Sequence, residues 1–236
     1  MSTVDQTDLL RRARSRRAAV TTPPPPAAPV EPTDPAPLSH AQQRMWLMEH
    51  LGQGGALYNV PLATRLRGPL DRAALAAALT GLTERHAVMR TRYPRRGEQP
   101  YQRIDPVTPV PLPVLDATGP EQLAVEAARP FDLATGPVLR ALLLRHGPED
   151  HTLVLTIHHI AVDGGSLPVL SADLAALYLA ERDGTAARLP QPGPSYAEYA
   201  RQERAREEEL TAAADALAAQ VVTRDRMARR EAHALR

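Results

Sequence analysis

Apolar residues recur at helical spacing after Asp71, over residues 166–183 and over residues 195–233, and each of these three stretches predicts an amphipathic helix. The clearest stretch follows Asp71, a residue type that often caps helices. Its four positions on one face are Leu75, Leu79, Leu82 and His86. We therefore expect His86 to be a core residue. The other helices are predicted over residues 39–51 with Ser39 as N-cap, 121–129, 166–183 with Ser166 as N-cap, and 195–233.

Short apolar or alternating runs between these stretches predict β-strands. Residues 57–67 alternate and carry β-forming side chains, which indicates a strand. Residues 138–145 and 151–157 are apolar runs, and their separation predicts a hairpin with the five-residue loop 146–150. The proline-rich segment 94–120 allows only edge strands and turns. Because helices and hairpins are mixed without a regular βαβ order, we expect an α+β fold.

The first 37 residues differ in composition from the rest. Residues 1–17 are basic and predict a short helix, which is marginal on its own. Residues 18–37 hold eight of the 24 prolines and too few apolar residues for a core, so we expect an extended, semi-rigid linker. Two interpretations of this segment stay open: a disordered leader and a docking segment on a tether. The globular part is expected to begin at Leu38.

Composition and charge exclude several classes of function. A net charge of +1 does not fit a strongly basic nucleic-acid-binding protein. The absence of cysteine excludes disulfides, thiol nucleophiles and cysteine-based zinc sites. No window approaches the ~20 apolar residues of a membrane span, and no apolar segment follows the basic N-terminus as a secretory signal requires. We therefore expect a cytoplasmic protein that binds neither nucleic acid nor membranes.

The stretch 156–167, TIHHIAVDGGSL, has the strongest indication of chemistry. A buried strand is predicted to end in His158 and His159, whose side chains would point to opposite faces. One histidine can then be structural while the other lines a cavity. Asp163 and the two glycines after it form a loop, where glycine permits positive φ and close approach of a substrate. The first amides of the following helix are candidate donors to a developing negative charge.

Two other chemistries have weaker support from the same stretch. Side chains on opposite faces cannot chelate one ion, and Asp163 is the only nearby carboxylate, so we expect no metal site. Ser166 is close in sequence to the histidines, but the G-x-S-x-G turn of many serine hydrolases is absent. A pair of histidines alone is also weak evidence for catalysis, because buried histidines are more often core residues.

The spacing H-H-x-x-x-D-G resembles the active-site motif of condensation domains in nonribosomal peptide synthetases. These domains are similar to chloramphenicol acetyltransferase and other thioester-dependent acyltransferases. Residues 39–46, SHAQQRMW, are similar to the first core motif of the family, S-x-A-Q-x-R-[LM]-W. Other stretches resemble family segments in the same order along the chain: 58–61, 85–93, 131–133, 137–140 and 196–200.

The resemblance implies one lobe of a two-lobed fold. It covers residues 38–205, and members of the family have two lobes and roughly twice this length. We therefore expect an N-terminal lobe with a mixed sheet flanked by helices, followed by a helical extension over residues 206–236. Near the end of the matched region, Glu198 and Gln202 depart from the family motif Y-x-D-[FY]-[AS]-x-W, replacing its acid and its tryptophan.

The resemblance also implies a reaction. In the family, the amine of an acceptor aminoacyl thioester attacks a donor acyl thioester, and both are carried on phosphopantetheine arms of carrier proteins. It implies that His159 orients or deprotonates the amine, a task for which neutral imidazole is suited. Its supporting residues would be His158, which packs or hydrogen-bonds, Asp163, which fixes the loop, Gly164, where substrate approaches closest, and Arg44, which braces the lobe. No cofactor is expected to bind the chain directly.

Three functions stay open at this point. The first is a catalytic condensation-type lobe that needs a complementing C-terminal lobe or synthetase chain and acts on carrier proteins. The second is a non-catalytic remnant or a docking module for carrier proteins. The third is an ester-forming relative that uses an alcohol acceptor. The expected lack of a second lobe favours low activity for the isolated chain, whereas the intact H-H-x-x-x-D-G favours catalysis.

Overall fold

The computed structural model describes residues 4–5 and 35–234. The leader helix and linker predicted over residues 1–37 lie mostly outside these described residues. Val4–Asp5 forms a strand, so these two residues are not helical as predicted. Ala36–Pro37 also forms a strand, and Ala36 is buried, so the lobe includes residues before Leu38.

The described part of the chain contains nine strands and five α-helices. The strands are β1 (Val4–Asp5), β2 (Ala36–Pro37), β3 (Asn59–Arg67), β4 (Thr91–Arg92), β5 (Arg95–Arg96), β6 (Gln99–Ile104), β7 (Val114–Asp116), β8 (Leu139–Gly147) and β9 (Asp150–His158). The helices are α1 (His40–His50), α2 (Arg72–Arg85), α3 (Glu121–Ala128), α4 (Ser166–Asp183) and α5 (Tyr196–Ala234). All five helices predicted after residue 37 are present. None of those in the described residues is long and apolar enough to cross a membrane.

Strand β9 lies at the centre of a five-stranded mixed sheet of order β1-β3-β9-β8-β7. It pairs antiparallel with β3 and β8, and Asn59 of β3 lies opposite His158. The hairpin between β8 and β9 has a loop of two residues, Pro148 and Glu149, rather than the predicted five, because both strands continue beyond their apolar runs. A smaller, four-stranded antiparallel sheet has the order β2-β6-β4, and its fourth strand, β5, also pairs with β6.

Apolar side chains cover both faces of β9. On one face, helices α2 and α4 pack over the sheet in a cluster that includes Leu79, Leu155 and Leu170. On the other face, Val154 belongs to a separate cluster against which α3 packs. The result is the α+β fold with a mixed sheet flanked by helices that the sequence predicted. We expected His86 to belong to the apolar cluster, but it does not. It lies at the end of α2 and pairs with a carboxylate of α4.

Helix α1 is fixed at its start by a capping box. The hydroxyl oxygen of Ser39 accepts a hydrogen bond from the Gln42 N–H at 3.2 Å, and the Ser39 N–H donates to the Gln42 side chain at 3.1 Å. Ser39 also lies 3.2 Å from the hydroxyl of Tyr196, at the start of α5. Helix α5 therefore begins against α1 and continues without interruption, so residue 206 does not begin a separate element.

Candidate active site

The H-H-x-x-x-D-G segment connects the central strand β9 to helix α4. His158 is the last residue of β9 and is fully buried, with 0% of its surface exposed. His159 begins the turn after the strand, and its side chain is exposed. The two imidazoles therefore lie in different surroundings. The alternation of side chains along a strand does not fully explain this difference, because His159 lies beyond the end of β9.

Both ring nitrogens of His158 have partners inside the protein. Nδ1 accepts a hydrogen bond from the backbone N–H of Ile160 at 3.0 Å, and Nε2 lies 3.2 Å from Oε1 of Glu49 in α1. Because Nδ1 accepts, the proton of the neutral ring is assigned to Nε2, which donates to Glu49. Burial, with a smaller effect from neighbouring His159, lowers the pKa of His158 to about 4. The ring is therefore neutral at neutral pH.

Aromatic rings surround His158. Phe131 lies edge-on with 5.9 Å between ring centroids, and Tyr58 lies at 5.8 Å. The guanidinium of Arg140 stacks over Phe131 at 3.8 Å from the ring centroid and donates to Glu126 at 2.7 Å. These contacts keep water away from His158, which is the physical reason for its low pKa.

The backbone of His159 is held on both sides while its side chain stays exposed. Its N–H donates to the carbonyl oxygen of Tyr58 at 2.8 Å. The next amide, that of Ile160, donates to the His158 ring. The carbonyl oxygen of His158 accepts from Ala161 at 3.0 Å. An exposed imidazole on a fixed backbone is the arrangement that presents a side chain to a substrate.

Asp163 forms a hydrogen-bonded turn with Ser166. Oδ1 of Asp163 accepts from the N–H and from the hydroxyl of Ser166, each at 2.8 Å. The Asp163 N–H donates in turn to the Ser166 hydroxyl oxygen at 2.8 Å. These hydrogen bonds lower the pKa of the Asp163 carboxyl group. The carboxylate is thus part of the internal hydrogen bonding of the loop.

The start of α4 differs from expectation in its N-cap and in the use of its first amide. Ser166 is the first helical residue, and the N-cap is Gly165. The amides of Gly165 and Ser166 are directed at the Asp163 carboxylate, so they are not free to stabilise a developing negative charge. Neither Gly164 nor Gly165 has positive φ. A Cβ at Gly164 would meet nothing within 4 Å, so this position is open space on the surface.

We expect Asp163→Ala to lower the free energy of unfolding by roughly 0.5–1 kcal/mol, because it removes the acceptor for two donors at the start of α4. Asp163→Asn keeps an acceptor oxygen and should lose less. Urea denaturation of the wild type and both variants measures the difference. An unchanged midpoint in Asp163→Ala, accompanied by a large loss of activity, would contradict a loop-fixing role.

Arg44 and Trp46 differ in how they contact the lobe. Arg44, expected to brace it, is exposed on α1, and no hydrogen bond or ion pair joins its side chain to the rest of the described chain. Trp46 donates from Nε1 to the carbonyl oxygen of Tyr93 at 3.1 Å and stacks on His50 at 4.9 Å.

Among the residues that the structure describes, no group of three or more histidine, aspartate or glutamate side chains could hold a metal ion.

Sequence reasoning missed Glu49. Its partner His158 is 109 positions away, so no local pattern connects the two residues. The one signal that points to Glu49 is its position three residues after Trp46, on the same side of α1.

A family model described as the condensation domain matches residues 33–216. The chain belongs to the condensation domain family. Over 164 residues it is 45% identical to the probable non-canonical nonribosomal peptide synthetase CymA of Salinispora arenicola, and over 197 residues it is 42% identical to the phosphinothricin tripeptide synthetase PhsC of Streptomyces viridochromogenes. These matches cover 69% and 78% of this condensation domain chain, but only 2% and 18% of the relatives.

Solved structures show the same fold over part of their length. The X-domain from teicoplanin biosynthesis is 34% identical with a TM-score of 0.70, and the match covers 78% of this chain and 41% of that one. The first condensation domain of the calcium-dependent antibiotic synthetase, in complex with a substrate analogue, is 28% identical with a TM-score of 0.63, covering 75% and 44%. The chain therefore spans less than half of these chains, and its fold is the chloramphenicol acetyltransferase-like fold of condensation domains over that part.

Proposed function

We propose that the chain takes part in amide formation between carrier-bound thioesters, with His159 contacting the attacking amine. The observation that carries this proposal is the exposed His159 imidazole on a backbone held by Tyr58 and by the His158 ring, within an intact H-H-x-x-x-D-G. The similarity to peptide synthetases supports the class of reaction.

In the proposed step, the amine nitrogen attacks the thioester carbonyl carbon, a C–N bond forms and the C–S bond breaks. The leaving thiol is that of the donor's phosphopantetheine arm, and the proton that leaves the amine nitrogen ends on the sulfur of this thiol. His159 either accepts this proton or orients the amine by a hydrogen bond, which also stabilises the cationic intermediate. Asp163 keeps the shape of the loop, and the open surface at Gly164 leaves room for a substrate.

The proposal includes the partners of the site. Donor and acceptor arrive on the phosphopantetheine arms of two carrier proteins, and the chain binds no cofactor of its own. Because the chain spans less than half of the solved structures that it matches, we infer that the second half of the fold completes the site that receives the two arms. We further propose that the reaction takes place in the cytoplasm.

A single-turnover assay tests the proposal. A panel of acyl-loaded donor carriers and aminoacyl-loaded acceptor carriers is mixed with the chain alone, and with the chain plus the C-terminal part of a related condensation domain. Mass spectrometry of the acceptor carrier measures the product. We expect little product from the chain alone and more from the complemented mixture. If the complemented mixture binds both carriers but forms no product, the catalytic proposal is wrong.

Two alternatives have their own tests in the same mixture. A protein-binding role is favoured by the likeness to the X-domain from teicoplanin biosynthesis, which forms a complex with OxyB. For this chain, that role predicts carrier or partner binding that His159→Ala does not alter and no turnover in any mixture. An ester-forming role predicts product only when the acceptor carrier holds a hydroxyacyl group.

A further inference from the structure

Glu49 reaches His158 from a distant part of the fold. Its Oε1 lies 3.2 Å from His158 Nε2, and its side chain is only 15% exposed. Burial raises the pKa of the Glu49 carboxyl group, partly offset by a hydrogen bond from the Gly55 backbone. The His158 ring is neutral, so the contact is a mostly buried hydrogen bond from the ring N–H to an acidic side chain, and not a surface ion pair.

A glycine beside Glu49 makes this contact possible. A Cβ at Gly54 would lie 2.1 Å from both Cδ and Oε1 of Glu49, far inside van der Waals contact. Gly54 is buried and its φ is not in the left-handed region, so an alanine there strains no backbone torsion. The part that must move is the flexible end of Glu49. The absence of a side chain at position 54 therefore allows the carboxylate to lie against His158.

We propose that Glu49 is a positioning residue for His159 and acts through the His158 ring and the Ile160 amide. This inference rests on the proposed function of His159. By accepting the Nε2–H, Glu49 holds the tautomer in which Nδ1 of His158 accepts from Ile160. That N–H belongs to the peptide group that joins His159 to Ile160, so the ring fixes the orientation of the peptide next to His159.

The consequence of losing Glu49 follows from burial. His158 has no exposed surface in the folded chain, so losing Glu49 removes the protein acceptor that sets the position of its Nε2–H. The ring then becomes more stable if it rotates or if its proton moves to Nδ1. Either change removes the acceptor of the Ile160 N–H. The peptide after His159 loses its fixed orientation, and small displacements of a group that contacts the reacting atoms are costly in rate.

Three variants separate this role from simple support of the fold. Glu49→Ala removes the acceptor, Glu49→Gln keeps an acceptor oxygen, and Gly54→Ala displaces the carboxylate without changing it. Gly193→Ala is the matched control, because a Cβ there meets nothing within 4 Å and its φ is not left-handed. Each full-length variant is examined by three measurements: the ¹⁵N chemical shifts of the His158 ring, hydrogen exchange of the Ile160 amide, and the single-turnover rate of the complemented mixture.

In Glu49→Ala and Gly54→Ala, we expect the His158 ring to lose the ¹⁵N pattern of the Nε2–H tautomer. The Ile160 amide should exchange roughly 10-fold faster or more, and amide formation should slow by roughly 10–100-fold. Glu49→Gln and Gly193→Ala should remain close to the wild type in all three measurements. Rescue by glutamine is the result that a general loss of stability would not produce.

An unchanged His158 tautomer in Glu49→Ala overturns the proposal, and so does an unchanged rate when the tautomer has changed. The two spectroscopic measurements do not depend on turnover. A different outcome is that the wild-type mixture forms no product while the His158 ring and the Ile160 backbone N–H respond to the substitutions as expected. In that case the proposed function is wrong, and the hydrogen-bonded connection from Glu49 to the peptide of His159 is still supported.

Discussion

His159→Ala is expected to slow amide formation by the complemented chain roughly 100-fold or more, the lower range of effects measured for groups that transfer or hold a proton. The structure gives two reasons for a loss of this size. His159 is the exposed imidazole of the motif, and its backbone is fixed by hydrogen bonds on both sides. Removing its ring leaves the loop in place but empties the position that we propose lies next to the attacking amine.

No neighbouring group can replace the missing ring. His158 is fully buried, and both of its ring nitrogens are already hydrogen-bonded. The Asp163 carboxylate is occupied by donors of Ser166, and those hydrogen bonds lower its pKa, which makes it a poor base. We therefore expect no side chain of the loop to restore the rate, so that the residual activity of His159→Ala comes from the positioning of the two carriers.

His159→Gln separates the two roles that we propose for the ring. A glutamine amide can hydrogen-bond an amine but cannot accept its proton at neutral pH. Activity well above that of His159→Ala would indicate orientation, and activity as low as His159→Ala would indicate proton transfer. Because the side chain is exposed, both variants should unfold within about 0.5 kcal/mol of the wild type. A wild-type rate in His159→Ala would contradict a catalytic role.

Local patterns were enough to predict most elements that carry the site. Ser39 and Asp71 cap α1 and α2 as predicted, because a cap depends on N–H groups only two or three residues away. The apolar run before His158 predicted a buried strand, because such a run is also a local feature of the sequence. The ordered motif matches predicted the family, and the family model over residues 33–216 confirms it.

Contacts between distant segments could not be predicted in this way. The acceptor of the His158 ring is in α1, and the spacing that placed His86 among leucines gave no sign of its carboxylate partner in α4. Strand β2 was missed because its two residues, Ala36–Pro37, end a proline-rich segment and pair only through the distant β6. The use of the Ser166 amide by Asp163 depends on the path of the loop, which glycine-rich sequence does not specify.

The pairing between the end of α2 and the carboxylate in α4 predicts the largest loss of stability. Asp173 in α4 is 3% exposed, and its Oδ2 accepts from Arg85 Nε and from His86 Nε2, each at 2.9 Å. Burial alone would raise the pKa of Asp173, but the hydrogen bonds from His86 and Arg85 and the charge of Arg85 lower it below its usual value. The carboxylate therefore joins the end of α2 to the helix that follows the active-site loop.

We expect Asp173→Ala to lower the free energy of unfolding by about 3 kcal/mol, because removing one partner of a buried pair leaves Arg85 without its counter-charge between two helices. For a chain of this size, the melting temperature should fall by roughly 6–12 °C. Asp116→Ala, which breaks an exposed pair with Arg145, is the control and should change the melting temperature little. Thermal and urea unfolding measure both variants.

The pH dependence distinguishes this pair from a loss of packing alone. Because the pKa of Asp173 is lower in the folded chain than in the unfolded chain, its contribution is complete at neutral pH and is lost as pH falls below about 4 towards the folded-state pKa. The difference in stability between the wild type and Asp173→Ala should therefore shrink in acid, since the wild type loses what the variant already lacks. A difference that stays constant from pH 7 to pH 3 would show that the side chain acts through shape, and the charged connection between α2 and α4 would then be wrong.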